Sequence, residues 1–321
     1  MKKLIKSKTD YVQDMLAGLN VSQDDIEIIE DTVVVRKQKK SSGVALVSGG
    51  GSGHEPAHAG YVAEGMLDAA VCGEIFTSPT PDKILSAIKA VATDAGVLLI
   101  VKNYAGDVMN FEMAQEMAEM EGISVKMVVV KDDIAVDNEE QRRGVAGTVF
   151  VHKFAGYLAD QGESLEDIVN HVEQLLTQIK SIGMALQPPY VPTTEQYGFD
   201  LHDDQMEIGI GIHGERGIER TEAKPIDEVV KQLVERLREE VTTTEWIVMV
   251  NGMGGTPLSE LHIVTKYLSA YLDEQSIAIK NWYVGDYMTS LNMEGFSLTV
   301  IPYDTKVDEA LKAPTTSAYF N

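Results

Sequence analysis

Short apolar runs of the kind that form β-strands alternate along this sequence with stretches of helical amphipathic spacing. Such alternation is typical of α/β layers, in which helices cover the faces of a sheet. Several runs are continuously apolar, as expected of strands that are covered on both faces. The predicted strands are 44–47, 96–101, 125–130, 206–212 and 246–250. The predicted fold class is therefore α/β, with ligands bound at the carboxyl ends of the strands.

A proline-rich segment is the predicted boundary between two domains. Pro188, Pro189 and Pro192 would interrupt both helices and strands. Amphipathic helices are predicted on either side of it, over 165–179 and 225–240. A chain of 321 residues is also long for a single core. We therefore predict an active site between two helix-covered sheets, in an N-terminal domain (1–186), a linker (187–196) and a C-terminal domain (197–321).

The net charge of −23 restricts the classes of partner. Nucleic acids and anionic membranes both need a basic footprint, so neither is expected to bind. No apolar run approaches the roughly 20 residues of a membrane helix. The basic start, Met1 to Lys8, lacks the apolar stretch of about 7–15 residues that defines a signal peptide. We therefore expect a cytoplasmic protein, in which the one cysteine, Cys72, is a buried and inert thiol.

A glycine-rich segment, VSGGGSGHEP (47–56), follows the first predicted strand. A Walker A phosphate loop needs Lys and then Ser or Thr after its last glycine, whereas His54 and Glu55 stand here. Pro56 also disagrees with a G-x-G-x-x-G motif that opens a helix, which argues against a Rossmann dehydrogenase. The glycines instead indicate a loop whose backbone closely approaches a small polar ligand. His54 is either part of that site or a structural loop histidine.

Two further predicted strands end in polar residues. Lys102 ends an apolar run and is either a surface lysine or a site residue at the edge of the sheet. Asp107 stands near the start of a predicted helix, where it is either an N-cap or a catalytic carboxylate. His213 follows alternating Ile and Gly residues and is either a structural histidine or a site residue whose imidazole is left accessible by its small neighbours.

The remaining histidines carry weaker signals. His58 stands four residues after His54, but Pro56 and the lack of an H-E-x-x-H motif argue against zinc, and no metal site is predicted. The other histidines lie in helical or acidic-loop contexts and are not predicted to form a site: His152, His171, His202 and His262.

Six segments together resemble the substrate-binding K subunit of dihydroxyacetone kinase, and the resemblance covers essentially the whole chain. Six long matches in the right order make chance similarity very improbable. The segments are GGGSGHEPAHAGYV (49–62), VCGEIFTSPTP (71–81), KNYAGDVMNFEMA (102–114), RRGVAGTVFVHK (142–153), MEIGIGIHGERG (206–217) and VNGMGGTPLSEL (250–261).

The resemblance implies a role for each matched residue. His213 matches the family histidine whose imidazole nitrogen adds to the substrate carbonyl to give a hemiaminal. Asp107 matches the general base for the hydroxyl that is phosphorylated, and His54 matches a second catalytic histidine that is hydrogen-bonded to the substrate. The further substrate-binding residues implied are Gly51, Ser52, Gly53, Ser78 and Lys102.

The resemblance also implies partners for this chain. The sequence has no Walker A motif, no kinase-type lysine strand and no carboxylate cluster for Mg²⁺. In the family, ADP or ATP with Mg²⁺ is held by a separate L subunit or by a fused C-terminal domain, for which a chain ending at Asn321 has no room. We therefore expect no cofactor on this chain, a homodimer, and an L subunit whose ADP is rephosphorylated by a phosphocarrier of the sugar phosphotransferase system. An ATP-using partner is the alternative.

Two positions depart from the usual pattern of the family. Ala105 stands where a small hydroxyl residue is commoner, and Arg216 stands where proline is frequent. The catalytic trio is intact, which favours an enzyme subunit that forms dihydroxyacetone phosphate. The alternative is a non-catalytic paralogue that binds dihydroxyacetone through His213 and acts as coactivator of a transcription regulator.

Overall fold

The computed structural model describes residues 3–215 and 217–320. The chain forms two compact units, each built on a six-stranded sheet with helices against it. The predicted α/β class is confirmed. The first unit comprises Met1–Val130, Thr148–Leu175 and Glu309–Asn321, and the second comprises Lys131–Gly147 and Leu176–Asp308.

These units differ from the predicted division at a single linker, because segment 131–147 packs with the later part of the chain. Asp132 lies within this segment and its buried carboxylate accepts hydrogen bonds from the backbone N–H groups of Val145 and Gly147. The same carboxylate accepts a hydrogen bond from the hydroxyl of Ser181, in the second sheet. A contact of this kind leaves no signal in the local sequence pattern.

The sheet of the first unit is mainly parallel. Its strands are β1 (Ile26–Ile29), β2 (Val33–Arg36), β3 (Ala45–Ser52), β4 (Ala69–Ile75), β5 (Val97–Lys102) and β6 (Val125–Val130). They lie in the order β1-β2-β4-β3-β5-β6, in which β4, β3, β5 and β6 are mutually parallel and the β1–β2 hairpin is antiparallel. The carboxyl ends of β3, β4 and β5 therefore meet at one edge.

Helices of this part of the chain are α1 (Tyr11–Ser22), α2 (Pro81–Val91), α3 (Ala105–Met120), α4 (Gly147–Asp160) and α5 (Leu165–Leu176). Buried aliphatic side chains of α2 and α3 pack on the strands in one continuous core. The predicted helix over 165–179 is confirmed except for its last three residues. Strand β3 extends further than predicted, because the glycines up to Gly51 continue the ladder with β4.

The sheet of the second unit is mainly antiparallel. Its strands are β7 (Lys180–Gln187), β10 (Gln205–Ile208), β11 (Glu219–Glu222), β12 (Glu245–Gly252), β13 (Ala278–Gly285) and β14 (Glu294–Pro302), and a separate hairpin consists of β8 (Tyr190–Val191) and β9 (Gln196–Tyr197). The order is β11-β10-β7-β14-β12-β13, and only β12 and β13 are parallel. The helices are α6 (Ile226–Glu240), α7 (Leu258–Glu274) and α8 (Thr305–Lys312).

The strand predicted over 206–212 is too long. Strand β10 ends at Ile208, because Gly209 has a φ of +73° and leaves the extended conformation. His213 therefore lies in a loop beyond the sheet and does not close a strand. Among the described residues, no helix combines the length and apolar character that spanning a membrane requires.

Candidate functional site

The carboxyl ends of β3 and β5 bring the glycine-rich segment against two charged side chains. A Cβ atom added at Gly50 would overlap with Nζ of Lys102 and would lie 3.2 Å from Oδ2 of Asp107. Only glycine fits at this position. The sequence predicted a close approach of the backbone to a small polar ligand, and what the backbone approaches at Gly50 is a pair of protein side chains.

Lys102 and Asp107 form a buried ion pair. Nζ of Lys102 lies 3.6 Å from Oδ2 of Asp107, and the two residues are 0% and 1% exposed. Asp107 occupies the first turn of α3 and is not its N-cap, which is Tyr104. Neither carboxylate oxygen of Asp107 accepts a hydrogen bond from any of the described residues. A buried carboxylate without such donors is unfavourable, and the positive charge of Lys102 offsets part of this cost.

Lys102 has two further acceptors around its ammonium group. Nζ donates to the carbonyl oxygen of Gly49 at 3.3 Å and lies 2.9 Å from Nε2 of His58. Burial lowers the pKa of Lys102, and the adjacent Asp107 carboxylate opposes this shift. The surface location considered for Lys102 is therefore wrong.

Two histidines that the sequence did not single out extend this cluster. Nδ1 of His58 lies 2.9 Å from Nε2 of His152 on α4, and both rings are buried. Burial, with a contribution from the positive charge of Lys102, lowers the pKa of His58 well below its ordinary value and that of His152 to about 3. Both residues fall inside segments that carry the family resemblance, but only the fold brings them to Lys102.

The other predicted residues of the first unit lie around the same sheet edge. The ring of His54 is buried and stacks on Phe76 with 5.3 Å between the ring centroids. The hydroxyl of Ser78 lies against the backbone of Gly106, since a Cβ added there would be 2.8 Å from Oγ. Ser78 thus approaches the first turn of α3, one residue before Asp107.

Polar groups of the glycine-rich turn already have partners within the protein. The hydroxyl of Ser52 donates to the carbonyl oxygen of Gly73 at 2.7 Å. The N–H of Gly53 donates to the carboxylate of Glu55, at 3.1 and 3.2 Å from its two oxygens. Gly51 lies against the backbone of Phe76, where a side chain would clash. These contacts shape the turn and support His54.

His213 belongs to the second unit, where its loop folds back on Glu215. The backbone N–H of His213 donates to Oε2 of Glu215 at 2.9 Å, and Nδ1 lies 3.5 Å from Oε1. The imidazole is 16% exposed. A carboxylate beside Nδ1 favours the tautomer with the proton on Nδ1 and the lone pair on Nε2.

The carboxylate of Glu215 is stabilised by the positive charge of Arg143. A Cβ added at Gly211 would overlap with Oε2 of Glu215 and would lie 2.7 Å from Nη1 of Arg143, so both side chains pack against this glycine. Arg143 is fixed in turn by hydrogen bonds to Asp133 at 2.7 Å and to the carbonyl oxygen of Gly209 at 2.8 Å. Burial tends to raise the pKa of Glu215, but the hydrogen bond from His213 and the charge of Arg143 lower it to about 2. This carboxylate is ionised at neutral pH.

Other positions add no chemistry to the site. Cys72 is buried as predicted, and burial raises the pKa of its thiol to about 12. No group of three or more His, Cys, Asp or Glu residues suited to a metal ion occurs in the described part of the chain. Ala105 is the first residue of α3, and Arg216 lies outside the described residues. A cleft of about 810 Å³ beside the β8–β9 hairpin contains none of the predicted site residues.

Comparison with known proteins places these features in a family context. The Dak1 domain model matches residues 17–319. The chain is 48% identical over 323 residues to the dihydroxyacetone-binding subunit of PTS-dependent dihydroxyacetone kinase 1 from Listeria innocua, with 98% of each chain covered. It is 51% identical over 308 residues to the corresponding subunit from Lactococcus lactis, with 94% of this chain and 93% of that one covered.

Two solved structures share the fold closely. The dihydroxyacetone kinase of C. freundii, in complex with AMP-PNP and Mg²⁺, matches with a TM-score of 0.93 and 36% identity, covering 100% of this chain and 61% of that one. A dihydroxyacetone kinase operon co-activator matches with a TM-score of 0.92 and 35% identity, covering 96% of this chain and 98% of that one.

Proposed function

The chain belongs to the Dak1 family, and on that basis we propose that it is the dihydroxyacetone-binding subunit of a dihydroxyacetone kinase. Two relatives with that function are 48% and 51% identical to it over almost their whole length. The observation that carries the catalytic part of the proposal is Asp107, a buried carboxylate that receives no hydrogen bond from the described residues. A substrate hydroxyl is the donor that such a group lacks.

His213 captures the substrate by adding to its carbonyl group. The lone pair of Nε2 forms a bond to the carbonyl carbon, and the π electrons of the C=O bond move to oxygen. The oxygen takes up one proton and Nδ1 releases one, so the product is a neutral hemiaminal. Glu215, 3.5 Å from Nδ1, stabilises the positive charge that develops on the ring during this step.

Covalent capture explains how a small triose is selected. A ligand with few atoms gains at most about 1.5 kcal/mol per non-hydrogen atom from non-covalent contacts. Glycerol has nearly the same shape and hydroxyl groups, so contacts alone would discriminate poorly. Because glycerol has no carbonyl carbon, His213 cannot form the adduct with it. The bond also fixes the terminal hydroxyl, and such positioning contributes roughly 7–11 kcal/mol to lowering a barrier.

Asp107 then serves as general base for phosphoryl transfer. The substrate hydroxyl gives its proton to the carboxylate, its oxygen bonds to the γ-phosphorus of ATP, and the bond from that phosphorus to ADP breaks. Lys102 places its positive charge 3.6 Å from this carboxylate. His54 provides a hydrogen bond to the substrate, as does the side chain of Ser78, and Gly51, Ser52 and Gly53 shape the turn against which the substrate binds.

The nucleotide and Mg²⁺ are carried by a separate L subunit. In support, this chain matches only 61% of the C. freundii kinase that holds AMP-PNP and Mg²⁺. The relatives from Listeria innocua and Lactococcus lactis are subunits of PTS-dependent kinases, which supports a phosphocarrier that restores ATP on the partner. A cytoplasmic homodimer completes the proposed assembly.

A second candidate function is that of a dihydroxyacetone-binding coactivator of a transcription regulator. It is favoured by the fold shared with the operon co-activator over 98% of that protein. The kinase subunits are the more similar relatives, at 48% and 51% identity against 35%. The two functions share the adduct on His213 and differ in phosphoryl transfer.

The adduct is tested by ¹³C NMR with dihydroxyacetone labelled at its carbonyl carbon. We expect a new tetrahedral-carbon signal with the wild-type protein and its loss in His213→Ala. His262→Ala, an exposed histidine on α7, is the matched control and should keep the signal. Retention of the signal in His213→Ala would overturn the proposed capture.

Reconstitution separates the two functions. The protein is combined with an L subunit, a phosphocarrier system and ³²P-labelled phosphoenolpyruvate. Labelled dihydroxyacetone phosphate is the expected product. Formation of the adduct without any labelled product would favour the coactivator.

A further inference from the structure

Two buried histidines, His58 and His152, form a row of hydrogen-bond contacts that starts at the ammonium group of Lys102. The proposed reaction uses neither of them. Nζ of Lys102 lies 2.9 Å from Nε2 of His58, and Nδ1 of His58 lies 2.9 Å from Nε2 of His152. Their exposures are 0%, 3% and 0% in the order Lys102, His58, His152. Burying a polar group costs free energy unless each donor meets an acceptor. The hydrogen bonds within this row therefore depend on which nitrogen of each ring carries the proton.

The direction of each hydrogen bond follows from Lys102. An ammonium group only donates, so Nε2 of His58 accepts and Nδ1 carries the ring proton. Nδ1 then donates to Nε2 of His152 and lies 3.3 Å from the hydroxyl of Ser48, whose own proton goes to the carbonyl oxygen of Ile100 at 2.7 Å. His152 is therefore also a neutral ring with its proton on Nδ1, and this buried N–H has no hydrogen-bond partner among the described residues.

The rings are poorly suited to carry a proton away from the site. Burial and the charge of Lys102 lower the pKa of His152 to about 3, so its protonated state is rare at pH 7. Passage of a proton along the row would need that rare state. An acceptor that stays neutral is better suited to fixing the direction of a donor.

The hydrogen bond to His58 helps to fix the orientation of the Lys102 ammonium group next to Asp107. A lysine side chain has four rotatable bonds and three equivalent donors, and it takes no preferred direction without acceptors. Here His58 and the carbonyl oxygen of Gly49 occupy two donor directions, and Asp107 lies 3.6 Å away in a third. Gly50 closes the remaining side, since a Cβ added there would overlap with Nζ.

We infer that His58 and His152 are positioning residues that hold the Lys102 ammonium against Asp107 and thereby act on phosphoryl transfer, without acting on the capture of the carbonyl by His213. This inference rests on the proposed function and deepens it. His152 acts through His58, because its Nε2 accepts the proton of Nδ1 and so keeps Nε2 of His58 as an acceptor.

The test compares two replacements at each histidine in the reconstituted kinase. His58→Leu removes the acceptor at similar size, whereas His58→Gln places an amide oxygen near the position of Nε2. We expect His58→Leu to lower kcat at least about tenfold, since small misplacements near reacting groups cost up to about 10²-fold. His58→Gln should recover most of this loss. The ¹³C-detected adduct should form with the wild-type binding constant in both.

Further variants keep the test decisive if His58→Leu fails to fold. His152→Leu and His152→Gln form a second pair, for which the same order of kcat values is expected with a smaller loss. His171→Leu, on α5 in the first unit and half-exposed, is the control and should match the wild type in kcat and adduct formation.

A spectroscopic signature tests the arrangement without substrate. In ¹⁵N-histidine correlation spectra of the wild-type protein, the rings of both His58 and His152 should stay Nδ1–H tautomers from pH 5 to 8. His58→Gln should remove one of these signals and perturb the other. A charged ring, or an Nε2–H tautomer at either position, would overturn the proton assignment and the inference with it.

The outcomes also separate this inference from the proposed function. Unchanged kcat in His58→Leu, equal losses in the Leu and Gln variants, or parallel losses of kcat and adduct would each contradict a positioning role. Absence of the adduct in the wild-type protein would instead defeat the proposed function, and the ¹⁵N spectra would still report on the row of histidines.

Discussion

The two units hold their histidines in opposite ways. In the first unit, His58 and His152 are buried next to a cation, and both rings are kept neutral. In the second unit, His213 is partly exposed and faces the ionised carboxylate of Glu215 at 3.5 Å. The charged neighbours therefore have opposite signs: Lys102 is a cation beside His58, and Glu215 is an anion beside His213.

This difference shows how the partner of a histidine selects its chemistry. A cation beside Nε2 uses the lone pair of that nitrogen, so the ring serves as an acceptor and has no nucleophilic nitrogen to offer. A carboxylate beside Nδ1 accepts that proton and places the lone pair on Nε2, which suits addition to a carbonyl. The same side chain is thus a positioning group in one unit and a nucleophile in the other.

Replacement of Asp107 should give the largest loss of turnover. It removes the proposed base in the first unit and leaves the nucleophile, His213, in the second unit intact. Asp107→Asn should keep the ¹³C-detected adduct while kcat in the reconstituted kinase falls by about 10²–10⁴-fold, the usual contribution of a general base. Steady-state kinetics together with the NMR measurement check both halves of this prediction.

Asp82→Asn is the matched control for that variant. Asp82 occupies the first turn of α2 as Asp107 occupies the first turn of α3, so both changes remove a negative charge near a helix N-terminus. Asp82 is exposed and its variant should keep wild-type kcat. Turnover by Asp107→Asn at the wild-type rate would show that the carboxylate is not the base.

Replacement of Glu215 tests the role of the carboxylate beside His213, and its expected effect on the proposed reaction is smaller. Glu215→Gln keeps the size of the side chain but removes the charge beside Nδ1 of His213, so the positive charge that develops on the ring loses its stabilisation. We expect the rate constant for adduct formation to fall by about tenfold, as for loss of one charge-assisted hydrogen bond in the transition state. ¹³C exchange spectroscopy between free and bound substrate measures it.

Glu222→Gln is the control, since Glu222 is an exposed carboxylate of β11 in the same unit. Its rate constant for adduct formation should match that of the wild type. Equal rate constants for Glu215→Gln and the wild type would mean that Glu215 does not stabilise the charge that develops on His213.

The sequence predicted β3, β5, β6 and β12 because continuous apolar runs define buried strands, whereas the strand before His213 was predicted four residues too long. It also placed Lys102, Asp107 and His54 correctly at the carboxyl ends of β3 and β5 or directly after them, since parallel strands share that edge. Periodicity and strand ends are local properties, and local properties can be read from a sequence.

The partners of these residues could not be predicted in the same way. His152 lies 94 positions from His58 along the chain, and its helical context gave it no functional signal. Arg143, which holds Glu215, is fixed by contacts to Asp133 and Gly209 that depend on the packing of segment 131–147. Long-range side-chain contacts decide the electrostatics of each histidine, and no sequence period reports them.

The pH dependence of stability should show the smallest of these effects. The pKa of Glu215 in the folded protein is lowered to about 2 from an ordinary value of 4.5, so ionisation of this group stabilises the fold above pH 4.5. That stabilisation is lost as the pH falls from 4.5 towards 2. Because the side chain is about one-third exposed, we expect a contribution of only about 1 kcal/mol or less.

Urea unfolding of the wild type and of Glu215→Gln at pH 6 and at pH 3 measures this contribution. The free energy of unfolding of the wild type should exceed that of the variant at pH 6, and the difference should shrink at pH 3. Glu222→Gln should show no comparable change in its difference from the wild type. A difference for Glu215→Gln that grows on acidification would have the opposite sign, and it would show that His213 and Arg143 do not stabilise the ionised carboxylate in the folded state.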